Sequence, residues 1–177
     1  PNQAAWSSSD RARVLQWRIH LPIAMGIIDL PTTDDDLRRA IGAIVPGHRL
    51  IADPLRRLAY GTDASFYRLV PRLVVVVERE AEVVDLLALC RRLEVPVTFR
   101  AAGTSLSGQA VTDSVLVLLG DGWKRCDIGP GADTIRLQPG VIGGVANRRL
   151  APFGRKIGPD PASIDAAMIG GIAANNA

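Results

Sequence analysis

Between Val97 and Gln109 the chain reads VTFRAAGTSLSGQ, an apolar run that stops at Arg100 and continues as small residues. Ala102 and Gly103 lead into Thr104, Ser105, Leu106 and Ser107, and Gly108 and Gln109 close the stretch. A loop with so little side-chain bulk lets its backbone approach a ligand closely. Successive N–H groups then form a concave nest for an anion, with phosphate the natural guest. Arg100 stands at the strand end, where it either adds positive charge or packs as an ordinary arginine.

Three chemistries compete for this loop. A triphosphate-hydrolysing loop needs G-x-x-x-x-G followed by Lys and then Ser or Thr. The glycines fit, but Gln109 and Ala110 stand where the lysine and hydroxyl belong. A dinucleotide loop needs G-x-G-x-x-G opening onto a helix. Here the spacing differs, and Thr112-Asp113-Ser114 leads straight into another apolar run. The third reading is a nest without a helix, in which N–H groups and the three hydroxyls bind a diphosphate directly. From the loop alone, a plain Gly/Ser-rich connection is an equally good reading.

A second small-residue stretch lies about fifty residues on, GPDPASIDAAMIGGIAANNA from Gly158 to Ala177. Gly170 and Gly171 permit close backbone approach, while Asn175 and Asn176 offer amides to a heterocycle edge or a turn. Taken alone, this run is more often tight helix packing than a site.

The elements that must position these stretches follow from periodicity. Thr33 or Asp34 caps a helix over DDDLRRAIGAIV, with Leu37, Ile41 and Ile44-Val45 at helical spacing and Pro46-Gly47 as the stop. Asp53-Pro54 begins a short helix to about Tyr60. YGTDASFY is a polar turn between two tyrosines. LVVVV (73–77) reads as a buried parallel strand. Arg79 to Leu93 reads as an amphipathic helix with Val83, Leu86, Leu87, Cys90 and Leu93 on one face, and Val97 to Phe99 as the next strand. That order is a βαβ unit, which makes the two strands expected parallel neighbours. VLVLL (115–119) is a third buried strand, 121–133 is turn-rich, TIRLQ (134–138) alternates as a strand, and Val141 to Leu150 is a helix. Lys156 to Ser163 is a loop, and Ser163 or Asp165 opens the final run.

Composition bounds the class. The 177 residues carry 47% hydrophobic content, enough for a core, and 21 basic against 18 acidic residues give a net charge of +3. The Arg-Arg pairs at 38–39, 56–57, 91–92 and 148–149 read as solvated helix faces, with no aromatic-interleaved basic stripe, so nucleic acid is not the expected partner. Cys90 and Cys126 form no CxxC, which fits a reducing, cytoplasmic setting and argues against a disulfide scaffold or a metal site. Ile19 to Ile28 is apolar but broken by His20, Pro22 and Gly26, too broken for a signal peptide or a membrane span. Residues up to Pro22 read as an extension, with Met25 a candidate natural start. The ending in GGIAANNA reads as the interior of a longer protein.

The motifs in order, YGTDASFY, VTFRAAGTSLSGQAV and IGPDPASIDAAMIGGIAANNA, closely resemble the FAD-binding domain of FAD-linked oxidases and dehydrogenases of the vanillyl-alcohol oxidase type. Within that type the D-lactate dehydrogenase and glycolate oxidase branch is most similar, especially members with a C-terminal iron–sulfur domain. The resemblance covers roughly Leu50 to Ala177. It implies an α/β (α+β) fold with two lobes, a small parallel sheet and then an antiparallel one, with the second lobe incomplete here. It divides the chain into an N-terminal extension with one helix (1–48) and the FAD-binding domain (49–177), whose lobes span about 51–111 and 112–177.

The resemblance also implies roles. Ala102 to Gln109 become the pyrophosphate loop. Gly158, Pro159, Asp160 and Ser163, together with Gly170, Gly171, Ala174 and Asn175, would line the diphosphate, ribityl and isoalloxazine regions. Asp160 would be repelled by a phosphate, so it is expected to cap a turn or accept from a hydroxyl. The histidines (His20, His48) and Cys126 lie outside the motifs and Cys90 belongs to a helix, so FAD is expected to be non-covalent. An iron–sulfur cluster would belong to a region beyond Ala177. The implied reaction is oxidation of a 2-hydroxy acid such as D-lactate: a base takes the hydroxyl proton while hydride leaves the α-carbon for the flavin. No residue here is nominated as that base, and the electron acceptor is left open. The full-length protein is expected to take a small hydroxy acid as partner, with room for peripheral membrane association. A flavin- or nucleotide-binding module without redox activity is the alternative.

Overall fold

The computed structural model describes residues 33–176. The expectations for the extension up to Pro22, for Ile19 to Ile28, for Met25 and for His20 lie outside the described residues, as does Ala177.

Helix α1 (Asp34–Gly42) opens on Thr33, whose hydroxyl accepts the Asp36 N–H at 3.2 Å. Three aspartates in its first turn face the positive end of the helix dipole. The helix stops at Gly42, before the Pro46-Gly47 signal, and Ile44 and Val45 follow in a turn that still packs on the core. A 3-10 turn (Gly47–Arg49) leads to strand β1 (Leu50–Ile51) and then helix α2 (Pro54–Ala59), capped by Asp53. Strand β2 (Leu73–Val77), helix α3 (Glu80–Arg92) and strand β3 (Val97–Arg100) follow as the spacing predicts.

Strand β4 (Val115–Leu119) corrects one expectation. The sheet order is β1-β2-β4-β3, so β4 lies between β2 and β3 and pairs in parallel with both. The strands of the βαβ unit are parallel but not neighbours. The reason is burial: Val115, Leu116 and Val117 are each fully buried, and so apolar a run takes an interior place. β3, with Phe99 exposed, takes the edge. The first sheet therefore runs on to Leu119, past the division at 111–112 that the resemblance implied.

One sheet face carries Leu73, Val75, Val77, Val115 and Val117 against Leu37 and Ile41 of α1 and Leu86 and Cys90 of α3. The other holds a smaller cluster of Ile51, Val74 and Leu116. Leu87 points to solvent, and Glu82 occupies the buried position instead. Arg57 also departs from the solvated reading, donating to the carbonyls of Pro71 (3.1 Å) and Arg72 (2.9 Å).

After Leu119 a 3-10 turn (Asp121–Trp123) leads to strands β5 (Cys126–Ile128) and β6 (Ile135–Leu137), an antiparallel pair. β5 falls inside the stretch that reads as turns, being too short to show a period. Helix α4 (Gly143–Leu150) packs on the pair through Ala146 and Leu150. Helix α5 (Ile169–Ala174) is tied back by Ile169 N–H to Val141 O (2.8 Å) and Gly170 N–H to Pro139 O (2.9 Å).

Candidate functional site

The loop after β3 leaves the carboxyl end of a parallel strand, where open α/β sheets bind ligands. Gly103 and Gly108 both adopt φ +70°, a left-handed conformation that other residues reach at a cost. At Gly108 the space is also closed, since a Cβ would lie 2.7 Å from the Tyr67 ring. These two reversals fold the six residues into a compact cup. Ser105 Oγ donates to Gln109 Oε1 (3.0 Å) and accepts the Ser107 N–H (3.2 Å). Among the described residues, the N–H groups of Gly103, Thr104, Ser105 and Leu106 and the hydroxyls of Thr104 and Ser107 have no protein partner.

The YGTDASFY turn packs against this cup. Ala64 N–H donates to Gly103 O at 2.9 Å, and Ala110 N–H to Asp63 Oδ2 at 3.3 Å. Arg100 is buried, donating through Nε to Ala110 O (2.8 Å) and through Nη2 to Tyr60 O (2.9 Å). Of the two readings open for Arg100, packing is thus observed, and the packed guanidinium still borders the cavity. Burial pulls it below the ordinary arginine value, with the Asp63 charge opposing. Burial would raise the Asp63 carboxyl, but bonds from Ser65 and Ala110 and the Arg100 charge outweigh it and hold it below the usual range.

A cavity of about 730 Å³ opens between this loop and α5, within the size range of ordinary ligand pockets. From the first stretch it is lined by Ala102 through Ser107 and by Gln109, and from the second by Ser163, Gly170, Gly171, Ala174 and Asn175. Two stretches some fifty residues apart thus meet across one space. Gly108 is not on that wall and faces Tyr67 instead. Gly158, Pro159 and Asp160 also lie outside the lining, and Asp160 accepts from Lys156 Nζ at 2.8 Å on the surface.

Sequence reasoning passed over the apolar wall formed by Phe99, Leu119, Trp123, Pro139 and Met168. Trp123 ends a three-residue 3-10 turn, too short for periodicity to mark it. Its Nε1 donates to Val77 O at 2.9 Å, leaving the ring as cavity wall.

The chemistry of this lining is selective. It contains no Asp, Glu or Lys, and its one charge is Arg100. A carboxylate-free cup of unpartnered N–H groups and hydroxyls suits a diphosphate, and the apolar wall suits a flat ring. The FAD group that the motifs imply therefore fits the residues present. Neither His48, Cys90 nor Cys126 borders the cavity. Among the described residues no three His, Cys, Asp or Glu side chains are grouped to hold a metal, and no helix is long and apolar enough to cross a membrane.

Comparison with known proteins agrees with this geometry. Residues 71–177 match the family described as FAD binding domain. The glycolate oxidase subunit GlcD of Escherichia coli K12 is 37% identical over 152 residues, covering 84% of this chain and 30% of that protein. D-2-hydroxyglutarate dehydrogenase of the same strain is 32% identical over 120 residues, covering 66% of this chain and 12% of that protein. The chain thus spans less than a third of these relatives. Among solved structures, alkyldihydroxyacetonephosphate synthase superposes with a TM-score of 0.67 at 19% identity, over 82% of this chain and 30% of that one. p-Cresol methylhydroxylase gives 0.63 at 14% identity, over 78% and 28%. These two likenesses concern the fold alone. The chain belongs to the FAD-binding domain family, and its fold is that of the vanillyl-alcohol oxidase type, of which it forms a partial domain.

Proposed function

We propose that this chain is the FAD-binding portion of a flavin-dependent oxidoreductase that oxidises a 2-hydroxy acid, such as D-lactate, glycolate or D-2-hydroxyglutarate. The observation that carries the reading is the meeting of Ala102 to Ser107 and Gln109 with Ser163, Gly170, Gly171, Ala174 and Asn175 around one carboxylate-free cavity. The cup from Gly103 to Ser107 would hold the diphosphate. Trp123 and Met168 would border the ring, and Asn175 would offer its amide to it. Gly158 to Asp160 would close over the cofactor from outside the present lining. Bound FAD would supply the two-electron acceptor, and the protein's share is positioning. The absence of a bordering His48, Cys90 or Cys126 supports non-covalent binding.

Glycolate and D-2-hydroxyglutarate come from the names of the relatives and D-lactate from the motif resemblance, and all three are 2-hydroxy acids. The described cavity wall holds no His, Asp, Glu or Lys to take a hydroxyl proton, so the base is assigned to the rest of the full-length protein. By itself this chain would bind flavin without turnover. Two free cysteines fit a reducing, cytoplasmic setting. The lobes are best divided after β4, near Leu119, because β4 belongs to the first sheet.

The full-length protein should purify yellow and release FAD on denaturation. Gly103→Trp and Ser107→Trp should each abolish flavin retention by filling the cup. Protein that takes up no flavin after reconstitution sinks the reading, and unchanged occupancy in both variants sinks the loop assignment. Turnover of the three acids with an artificial acceptor separates an oxidoreductase from a binding module.

A further inference from the structure

Ala110 closes the cup and is gripped twice. Its C=O accepts from Arg100 Nε and its N–H donates to Asp63 Oδ2. Asp63 is in turn fixed by the Ser65 N–H on Oδ1 at 2.9 Å, and Arg100 by Tyr60 O. At the other end of the loop, Gly103 O is held by Ala64 N–H. One turn, Tyr60 to Ser65, therefore holds both the entry and the exit of a loop forty residues away. A Cβ at Gly103 would sit 3.3 Å from Arg100 Cδ, so the arginine stem also underlies the loop. Asp63 does not border the cavity, so its influence on a ligand must pass through Ala110 and Arg100.

We propose that Asp63 and Arg100 are positioning residues for the cofactor: they clamp Ala110 from both sides and so keep the Gly103–Gly108 loop in the shape that leaves its N–H groups free for the diphosphate. The assignment rests on the flavin reading above. Losing a hydrogen bond to a charged group loosens the loop that it holds, so Asp63→Ala and Arg100→Lys should each weaken FAD binding about tenfold or more. Lysine keeps the charge but cannot reach two carbonyls with one fork.

The test titrates FAD into the apo form of the full-length protein by fluorescence quenching, and follows apoprotein melting beside it. Glu82→Gln serves as the control, because Glu82 is buried and bonded to Arg49, Arg79 and the Glu78 N–H, none of which borders the cavity, so it lowers stability by another route. The expected result is lost affinity in Asp63→Ala and Arg100→Lys, with Glu82→Gln within about twofold of wild type despite its lower melting temperature. Asp63→Asn, which keeps one acceptor oxygen, should fall between wild type and Asp63→Ala and carries the test if Asp63→Ala does not fold. Wild-type affinity in the Asp63 and Arg100 variants overturns the assignment, as does a loss in Glu82→Gln equal to theirs at equal melting temperature. Wild-type protein that binds no FAD overturns the flavin reading itself, and this assignment with it.

Discussion

Glu82 is only 3% exposed and yet ionised. Both its oxygens accept from Arg49 at 2.8 Å, Oε2 also takes the Glu78 N–H, and Arg79 adds two longer bonds. The bidentate Arg49 contact outweighs the burial penalty and holds the carboxyl down at about 2, against an ordinary 4.5. By linkage, a carboxyl depressed on folding stabilises the protein above its unfolded value and loses that contribution as pH falls. The interval from 4.5 to about 2 corresponds to about 3 kcal/mol. Melting temperature should therefore fall between about pH 4.5 and pH 2, and Glu82→Gln should flatten that part of the profile. A variant with the wild-type slope would remove Glu82 from the explanation. The cup glycines were legible in sequence because their role is local, set by φ at Gly103 and Gly108. Glu82 and Asp63 were not, because each acts through a partner 33 or 47 positions away, and Arg100 was legible only as one of two readings, its partners lying 10 and 40 positions away. An acidic residue in the first turn of α3 looks like an ordinary dipole partner until Arg49 arrives from another element.

Strand β2 shows what short-range pattern delivers at the level of elements, since LVVVV begins and ends where the apolar run does. Its neighbour was not legible. Which of two parallel strands lies beside it depends on how much apolar surface each must bury, a competition across the whole sheet. β4 wins that place with three consecutive fully buried residues, while β3 carries Thr98 and a half-exposed Phe99 at the edge. Leu116 makes the consequence measurable. It is fully buried in the smaller cluster with Ile51 and Val74, and truncation there leaves a cavity between paired strands. Leu116→Ala should cost about 2–5 kcal/mol in chemical denaturation. Val84→Ala on the exposed face of α3 should cost under about 0.5 kcal/mol. Equal costs would mean that β4 does not hold the interior position. The 126–128 strand escaped notice for the opposite reason. Three residues, Cys-Asp-Ile, carry no period, and only pairing with 135–137 defines them.

Across the whole molecule, the cavity is the place where two separately built halves meet. The Gly103 cup is anchored to the first sheet through Arg100 and the Tyr60–Ser65 turn, and α5 is anchored to the second half through Val141 and Pro139. Trp123 bridges them, packing on the first core, donating to Val77 O and accepting Gly140 N–H at its own carbonyl. A cofactor seated there would touch both halves, so binding should be read out as stability of the whole rather than of one lobe. Ligand that binds only the folded form stabilises by about 2.7 kcal/mol at a hundredfold excess over Kd. For a chain of this length that is a rise of roughly 5–11 °C in melting temperature, at about 2–4 °C per kcal/mol. Addition of FAD should produce such a rise in a single transition, and Gly103→Trp should abolish it. Leu116→Ala should melt lower but keep the increment, because its defect lies in the sheet and not in the cup. If FAD raised only one of two separate transitions, the flavin would be contacting one half alone, and the cup and α5 would not be two walls of one site.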